Sequence, residues 1–474
     1  MKTSPLTPPN GDNPKEAPSK KPREKGCRTC SRRRIKCDLT RPSCQKCTGR
    51  GLECPGYGRP LRWVGGAASR GHLKPSPPQQ LPSPPEPPRP DESPLQDTPL
   101  VPFPSPAFAA YYSTSIAGLM VWLDSPTNEY RRRVLPLAAF DPGLGLAVAA
   151  ISTQHRAGPA EPPAFSEAAR DACLALLRQS AHELTLRLVD GAPVGTSDDL
   201  VGAECMLASM LMMTCYEMAT SRAAAAECHR RAARTIVGVF GAVAKGSELF
   251  TFLRNQLAIH DVLASVTSFD ADDLREVIVP DETVEDLFTE YLVFLHKVTL
   301  ASRGVHVAEG ERLDVDAVRS RFEQARASTL MKAATKLQLG RSAVRRDFIR
   351  LVETYHAAAL LYSYRCLDLA SPGLHQERAY LGARLTSQLS DFEDPATWIQ
   401  NMPWPALVAG TEAHGNVARQ EAVADAFLAV SRATNSLHHM DTLGFLQEFW
   451  AGSDTDWRPL ARRWENEHRR IVPV

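Results

Sequence analysis

The stretch CRTCSRRRIKCDLTRPSCQKCTGRGLEC, residues 27–54, holds six of the chain's 11 cysteines. Their spacing is Cys27-x2-Cys30-x6-Cys37-x6-Cys44-x2-Cys47-x6-Cys54, one half-motif, C-x2-C-x6-C, written twice. A C-x2-C pair turns tightly enough to put two thiolates on one ion, and each third cysteine follows after a short helix. Tetrahedral zinc takes four sulfurs, so two ions would ask for eight where six are present; the count closes if two thiolates bridge. The duplication makes the first cysteine of each half, Cys27 and Cys44, the natural bridging pair. One ion then takes Cys30 and Cys37 as terminal ligands, and the other takes Cys47 and Cys54.

A disulfide framework would need an oxidising compartment. The first residues, MKTSPLTPPNGDNPKEAPSKK, have no apolar core of the kind a secretory signal carries, and no stretch reaches the roughly 18 apolar residues of a membrane span. The expectation is a soluble, intracellular chain with no membrane contact, where clustered cysteines hold metal. A single-zinc ribbon would leave the repeated half-motif unexplained.

Charge is concentrated in the same place. The whole chain has a net charge of +1, yet residues 27–54 carry Arg28, Arg32, Arg33, Arg34, Lys36, Arg41, Lys46 and Arg50 against Asp38 and Glu53. Between Cys30 and Cys37, SRRRIK has no acid at all. On a helix of about two turns, Arg32, Arg33 and Lys36 point outward while Ile35 turns toward the metal core. That is a surface for phosphates and base edges, and arginine's paired donors suit guanine O6 and N7 in the major groove.

These residues resemble the fungal zinc binuclear cluster, or Zn(II)2-C6, transcription factors, in which six cysteines at this spacing hold two zincs. The resemblance assigns the first and fourth cysteines, Cys27 and Cys44, as bridges, and it places a family proline at Pro42. It implies that the end of the first helix reads CGG-type triplets in double-stranded DNA, with Arg34 at the chief base-contacting position. The residues implied for DNA contact are Arg28, Arg32, Arg33, Arg34, Lys36, Arg41 and Lys46. No apolar heptad seam follows Cys54, so a dimer would have to form elsewhere.

Composition marks four zones: a polar, basic tail at 1–25, expected to be disordered; the cysteine module at 26–63; a proline-rich linker at 64–106; and an all-α body at 107–474. Residues 75–106 include 14 prolines and no helix or strand period, as in a semi-stiff polyproline spacer. Beyond it, SEAARDACLALLRQSAHELTLRLV (166–189) places Ala169, Cys173, Leu176 and Leu177 on one face. LVGAECMLASMLMMTCYEM (200–218) is apolar nearly all round and reads as a central helix. RRDFIRLVETYHAAALLYSYRCLDLA (345–370) reads likewise, and SPG at 371–373 stops it. The best strand candidate is REVIVP at 275–280. The predicted fold is a small zinc-stabilised N-terminal DNA-binding module and a large all-α C-terminal regulatory domain, joined by a disordered linker.

The second region resembles the fungal-specific transcription factor regulatory domain of the second type in GYGRPLRW (56–63), AYYSTSIAGLMVWLDSPTNEYRRRVLPLA (110–138), NQLAIHDVLASVT (255–267), MPWPALVAGTEA (402–413) and FLQEFW (445–450). That resemblance implies an all-helical control domain. It allows a homodimer formed through the helical body, coactivators, or a small-molecule effector as partners. No HExxH, GxSxG or P-loop pattern occurs, and GLGLAV (143–148) lacks the third glycine of a dinucleotide site. The pairs His438-His439 and Cys228-His229 read as packing or surface residues whose side chains point apart. Cys173, Cys205, Cys215, Cys228 and Cys366 read as small core residues. The segment DTLGFLQEFWAGSDTDW (441–457) is either a contact for coactivators or a final helix packing Phe445, Phe449 and Trp450.

The sequence therefore predicts a nuclear, sequence-specific DNA-binding regulator of RNA polymerase II transcription, not an enzyme, with two zinc ions as cofactor and a metabolic or biosynthetic pathway under its control. The alternative is a ligand-sensing scaffold in which the cluster mediates protein contacts.

Overall fold

The helix Ser197–Ala219 starts on a reciprocal cap. The Thr196 side chain accepts from Asp199 N at 3.2 Å, and the Asp199 carboxylate accepts from Thr196 N at 3.1 Å and from Gly195 N at 3.0 Å. Arg187 locks the same carboxylate from the preceding helix. Beyond that turn the helix is apolar all round, with Leu207, Met210, Met212, Met213 and Tyr216 buried. By length and composition it could cross a membrane, which corrects the expectation that no segment qualifies. Its surroundings decide otherwise: Glu217, fully buried, pairs with Arg170 and His229 of neighbouring helices. It is the core helix of the larger unit.

The computed structural model describes residues 27–54 except 28, 31–32, 34, 41–43 and 53, and residues 105–474 except 159–161, 193, 282–285, 306–312 and 337–341. The chain divides into two units, Met1–Pro90 and Asp91–Val474. The expected N-terminal tail, GYGRPLRW and nearly all of the linker lie outside the described residues.

The longer helices of the second unit are α1 (Pro142–Ala157), α2 (Ala164–Val189), α3 (Ser197–Ala219), α4 (Ala223–Phe240), α5 (Glu248–Ser265), α6 (Thr289–Ser302), α7 (Val315–Lys336), α8 (Ser342–Cys366), α9 (Leu374–Ser390), α10 (Pro403–Thr411), α11 (Val417–Thr434), α12 (His438–Ala451) and α13 (Arg458–Asn466). No strand occurs among the described residues. In α1, Asp141 accepts from Leu144 N at 2.7 Å and Pro142 opens the first turn, where a missing N–H costs nothing. GLGLAV is therefore helix, not a phosphate loop. REVIVP is not a strand: Ala271–Arg275 is a short helix, and Ile278 N donates to the Asp261 carboxylate at 3.1 Å instead of to a ladder.

In the first half, α3 packs between α1 and α4, and α2 lies along α1. Ala169, Cys173 and Leu177 face inward from α2 as expected, with Leu174 buried beside them and Leu176 only half-buried. The second half is built round α8, which touches α6, α7, α9 and α10. An aromatic cluster lies at its centre. Trp122 stacks on Phe288 with centroids 4.7 Å apart, Phe288 meets Tyr355 at 5.1 Å, and Tyr355 meets Trp404 at 5.4 Å. Phe288 takes a left-handed backbone, φ 62°, just before α6. That conformation is uncommon for a bulky residue and is held by the rings around it.

The segment 441–457 enters as α12, with Phe445 and Phe449 buried and Trp450 Nε1 donating to Gly410 O at 2.9 Å. Gly410 has to be small: a Cβ there would meet Leu446 Cδ1 at 2.5 Å. The aromatic residues pack into the body, as the structural reading of that segment expected. Cys173, Cys205 and Cys366 are buried, whereas Cys228 is exposed on α4, which corrects its assignment to the core.

Candidate metal centre and nucleic-acid interface

The short helix Gln45–Thr48 follows Cys44, and its first turn is capped from outside. Asp38 Oδ2 accepts from Gln45 N at 2.9 Å and from Thr40 Oγ1 at 3.0 Å, tying the first half-motif to the second. Sequence reasoning passed over Asp38, although it is the one acid between Cys30 and Cys47 and that isolation was a usable signal. Gly49 N and Arg50 N return to Gln45 O and Cys47 O, which turns the chain back toward Cys54.

Cys27, Cys30, Cys44 and Cys47 are buried, and Cys37 and Cys54 are half-buried. The Sγ–Sγ distances are 3.6 Å for Cys27–Cys44, 3.6 Å for Cys30–Cys44, 3.7 Å for Cys27–Cys47 and 3.9 Å for Cys30–Cys47. A disulfide needs about 2.05 Å, so these are separate thiols. Sulfurs bound to one tetrahedral zinc at about 2.3 Å sit about 3.8 Å apart, which the Cys27–Cys44, Cys30–Cys44 and Cys27–Cys47 spacings match. Two four-sulfur sets have all their sulfurs within 4.8 Å of one another: Cys27, Cys30, Cys37 and Cys44; and Cys27, Cys44, Cys47 and Cys54. The residues common to both are Cys27 and Cys44.

Main-chain amides complete the cage, with Cys30 N donating to Cys27 Sγ and Cys44 N to Cys54 Sγ, each at 3.4 Å. Such donors orient and stabilise thiolate ligands. Without a cation, burial pushes the Cys30 thiol up to about 12. A coordinated metal reverses that logic and draws the proton off. The donor set therefore fits zinc.

Of the basic residues, Lys36 and Lys46 are exposed. Arg33 is half-buried, and its amide donates to Thr29 O at 3.1 Å. Arg28, Arg32, Arg34, Arg41 and Pro42 lie outside the described residues. Ile35 is 39% exposed and does not turn into the metal core. The six sulfurs already fill that core, and Ile35 to Thr40 carry no helix, with Leu39 at φ 59°, so the two-turn helical face does not hold at Ile35.

The family described as fungal specific transcription factor domain matches residues 107–304 and 311–466, most of the chain. The chain belongs to that family. This fungal transcription factor also matches the fungal Zn(2)-Cys(6) binuclear cluster domain over residues 25–64. It is similar to the transcriptional regulatory protein moc3 of Schizosaccharomyces pombe, 47% identical over 12% of this chain and 11% of that protein. It is also similar to the arginine metabolism regulation protein II of Saccharomyces cerevisiae, 46% identical over 11% of this chain and 6% of that protein. A third relative is the phomenoic acid biosynthesis cluster-specific transcriptional regulator of Leptosphaeria maculans, 41% identical over 10% of this chain and 11% of that protein. The matches thus span about a tenth or less of the curated relatives' length. No solved structure matches this transcription factor. Its two matching domains are those of fungal transcription factors, the second being a zinc-binding type, and its family and relatives are regulators, not enzymes.

Proposed function

We propose that this fungal transcription factor works in the nucleus as a sequence-specific regulator of RNA polymerase II transcription that reads CGG-type triplets in double-stranded DNA through two zinc ions held by six cysteines. The observation that carries the reading is the pair of four-sulfur sets with Cys27 and Cys44 in common. Cys30 and Cys37 complete one set, and Cys47 and Cys54 complete the other. Zinc, when bound, neutralises the thiolates and supplies folding free energy on the order of 10 kcal/mol per site, which a module this short cannot draw from an apolar core.

The chain's own residues do the reading. Arg32, Arg33, Arg34 and Lys36 follow Cys30, a member of the sulfur cage, in an acid-free run that concentrates positive charge for phosphates. Arg34 is assigned to a guanine O6/N7 pair, and Arg28, Arg41 and Lys46 to phosphates. Control of a metabolic or biosynthetic pathway fits the names of two of its relatives.

The experiment is a titration of the full chain at fixed salt against a duplex carrying CGG triplets and a scrambled duplex. Binding at least about a thousandfold tighter to the CGG duplex is expected, the lower end of the usual span between specific and non-specific sites. Equal affinities would defeat the proposal.

A further inference from the structure

The helical body holds a half-open cavity of about 140 Å3 whose wall is drawn from segments far apart in sequence: residues 116–122, α1, the end of α3, α5, α8, residues 400–404, the start of α12, and Pro473–Val474. An apolar space of about 150 Å3 takes up a benzene ring, so the volume sets the size of an occupant. Trp122, Tyr355 and Trp404 line it, with Ile116, Ile151 and Leu263. Among the described residues no Lys or Arg lines it. His155, His260, His438 and His439 do, and burial lowers each below its usual range, so they bring no positive charge at neutral pH.

Three carboxamides on the wall have hydrogen-bonding capacity to spare. Asn401 Nδ2 donates to Trp122 O at 2.8 Å and Gln400 Nε2 donates to Val121 O at 3.3 Å, so both amides are oriented and their oxygens are left as acceptors. Neither oxygen accepts a hydrogen bond among the described residues, and Gln256 commits neither end of its amide. Asn401 is only 5% exposed and Gln256 only 9%. The free amide atoms nevertheless keep accessible surface, and at Asn401 that surface opens on this cavity; Gln256 also borders a neighbouring cleft. Buried carboxamides in folded proteins nearly always find partners. Here the missing partners are donors, and they have to arrive from the cavity.

We propose that this cavity binds a small organic ammonium ion, a primary amine of about single-ring size, whose charged end is held by the oxygens of Gln256, Gln400 and Asn401. A primary ammonium carries three donors and no acceptor, which suits oxygens that lack donors. Aromatic rings attract organic cations over their faces, and the absence of Lys and Arg from the wall leaves nothing there to repel one. A chain that ends at Val474 also sets its terminal carboxylate in this wall, which reinforces the same preference. The proposal goes beyond the DNA-binding reading and does not depend on it, because every wall residue belongs to the helical unit.

The test uses the full chain at pH 7.5 and benzylamine as probe, followed through tryptophan emission, because Trp122 and Trp404 both line the cavity. Benzyl alcohol and benzoate are the neutral and anionic controls of like shape. Benzylamine is expected to give a saturable change at millimolar concentration, with benzyl alcohol and benzoate each at least about tenfold weaker, since hydrogen bonds from a charged donor are the stronger kind. Gln256→Leu should weaken benzylamine about fivefold or more by removing an acceptor. Asn401→Asp, which sets a carboxylate beside the cavity, should tighten it about fivefold or more. If circular dichroism shows Asn401→Asp unfolded, Gln256→Leu decides alone. No saturable benzylamine response, equal affinity for either control, or no folded variant that moves benzylamine affinity in the stated direction would overturn the proposal. None of these results bears on the CGG titration, so the two readings fail separately.

Discussion

The imidazole rings of His438 and His439 lie with their centroids 3.7 Å apart at the start of α12, and both are buried. Ser436 Oγ contacts His438 Nδ1 at 2.7 Å, while His438 Nε2 lies 3.0 Å from Val474 O. A neutral ring with its proton on Nε2 serves both contacts, accepting from the serine and donating to Val474 O. A second proton on Nδ1 would remove the acceptor that the serine hydroxyl uses, at a ring where burial already disfavours charge.

Stability should therefore depend on pH in a defined window. Burial lowers His438 from 6.5 to about 4 and holds His439 well below its usual range. The unfolded chain binds protons in that interval that the folded chain refuses, so stability is whole above pH 6.5 and declines as pH falls toward 4. His438 alone contributes on the order of 3 kcal/mol across the window. Urea unfolding of the full chain from pH 7.5 to 4.5 should show the decline, and His438→Gln should lessen it while the shares of His439, His260 and His296 remain. A level profile in the wild-type chain would contradict the neutral assignment.

Phe288 is held at φ 62° between Trp122, at 4.7 Å, and Tyr355, at 5.1 Å. Truncation to alanine removes the ring on which both rest and leaves the strained backbone behind. Phe288→Ala should lower the unfolding free energy by about 3–5 kcal/mol in a chemical denaturation. A loss under about 1 kcal/mol would mean that the aromatic cluster is not a core element.

Asp261, fully buried, accepts from Arg234 Nε at 2.6 Å and from Arg230 Nη1 at 3.3 Å. Arg234 also reaches Asp273 at 2.7 Å. Removing Asp261 would leave buried guanidinium charge poorly compensated, and Asp261→Ala is expected to cost about 3–5 kcal/mol. Replacing Asp261 and Arg234 together by leucine should cost less than the single change. If the double replacement cost more, the network would be worth more than its desolvation.

Much of this was legible in the chain, and the failures have local causes. The shared pair, Cys27 and Cys44, followed from a repeated half-motif because ligand spacing over short turns is set by covalent reach. The central helix 200–218 followed from its apolar circumference. Ile35 was misplaced because helical periodicity was extended past the point where the chain runs out to Cys37. His438 and His439 were expected to point apart, since neighbours on a helix differ by about 100°. At the first turn of a helix inserted into the body, both directions are interior. The cavity was not legible at all, because its wall joins Ile116 to Val474 through tertiary packing alone.

At the DNA interface, the two kinds of contact should separate by mutation. Arg34→Ala should lower affinity for the CGG duplex by about tenfold or more while leaving scrambled DNA little changed, because a bidentate guanine pair carries about 1–3 kcal/mol of discrimination. Lys46→Ala should weaken both duplexes alike and reduce the salt slope by about 1. Equal loss on both duplexes for Arg34→Ala, in a titration over several salt concentrations, would remove it from base reading.

The sulfur cage is tested most directly by counting metal. Elemental analysis of the purified full chain, with zinc normalised to protein, should return two ions per chain, and Cys27→Ala or Cys44→Ala should each disturb both sites because each sulfur belongs to both sets. Chelation should abolish specific DNA binding in parallel with zinc loss. One ion per chain, or none, would contradict the account.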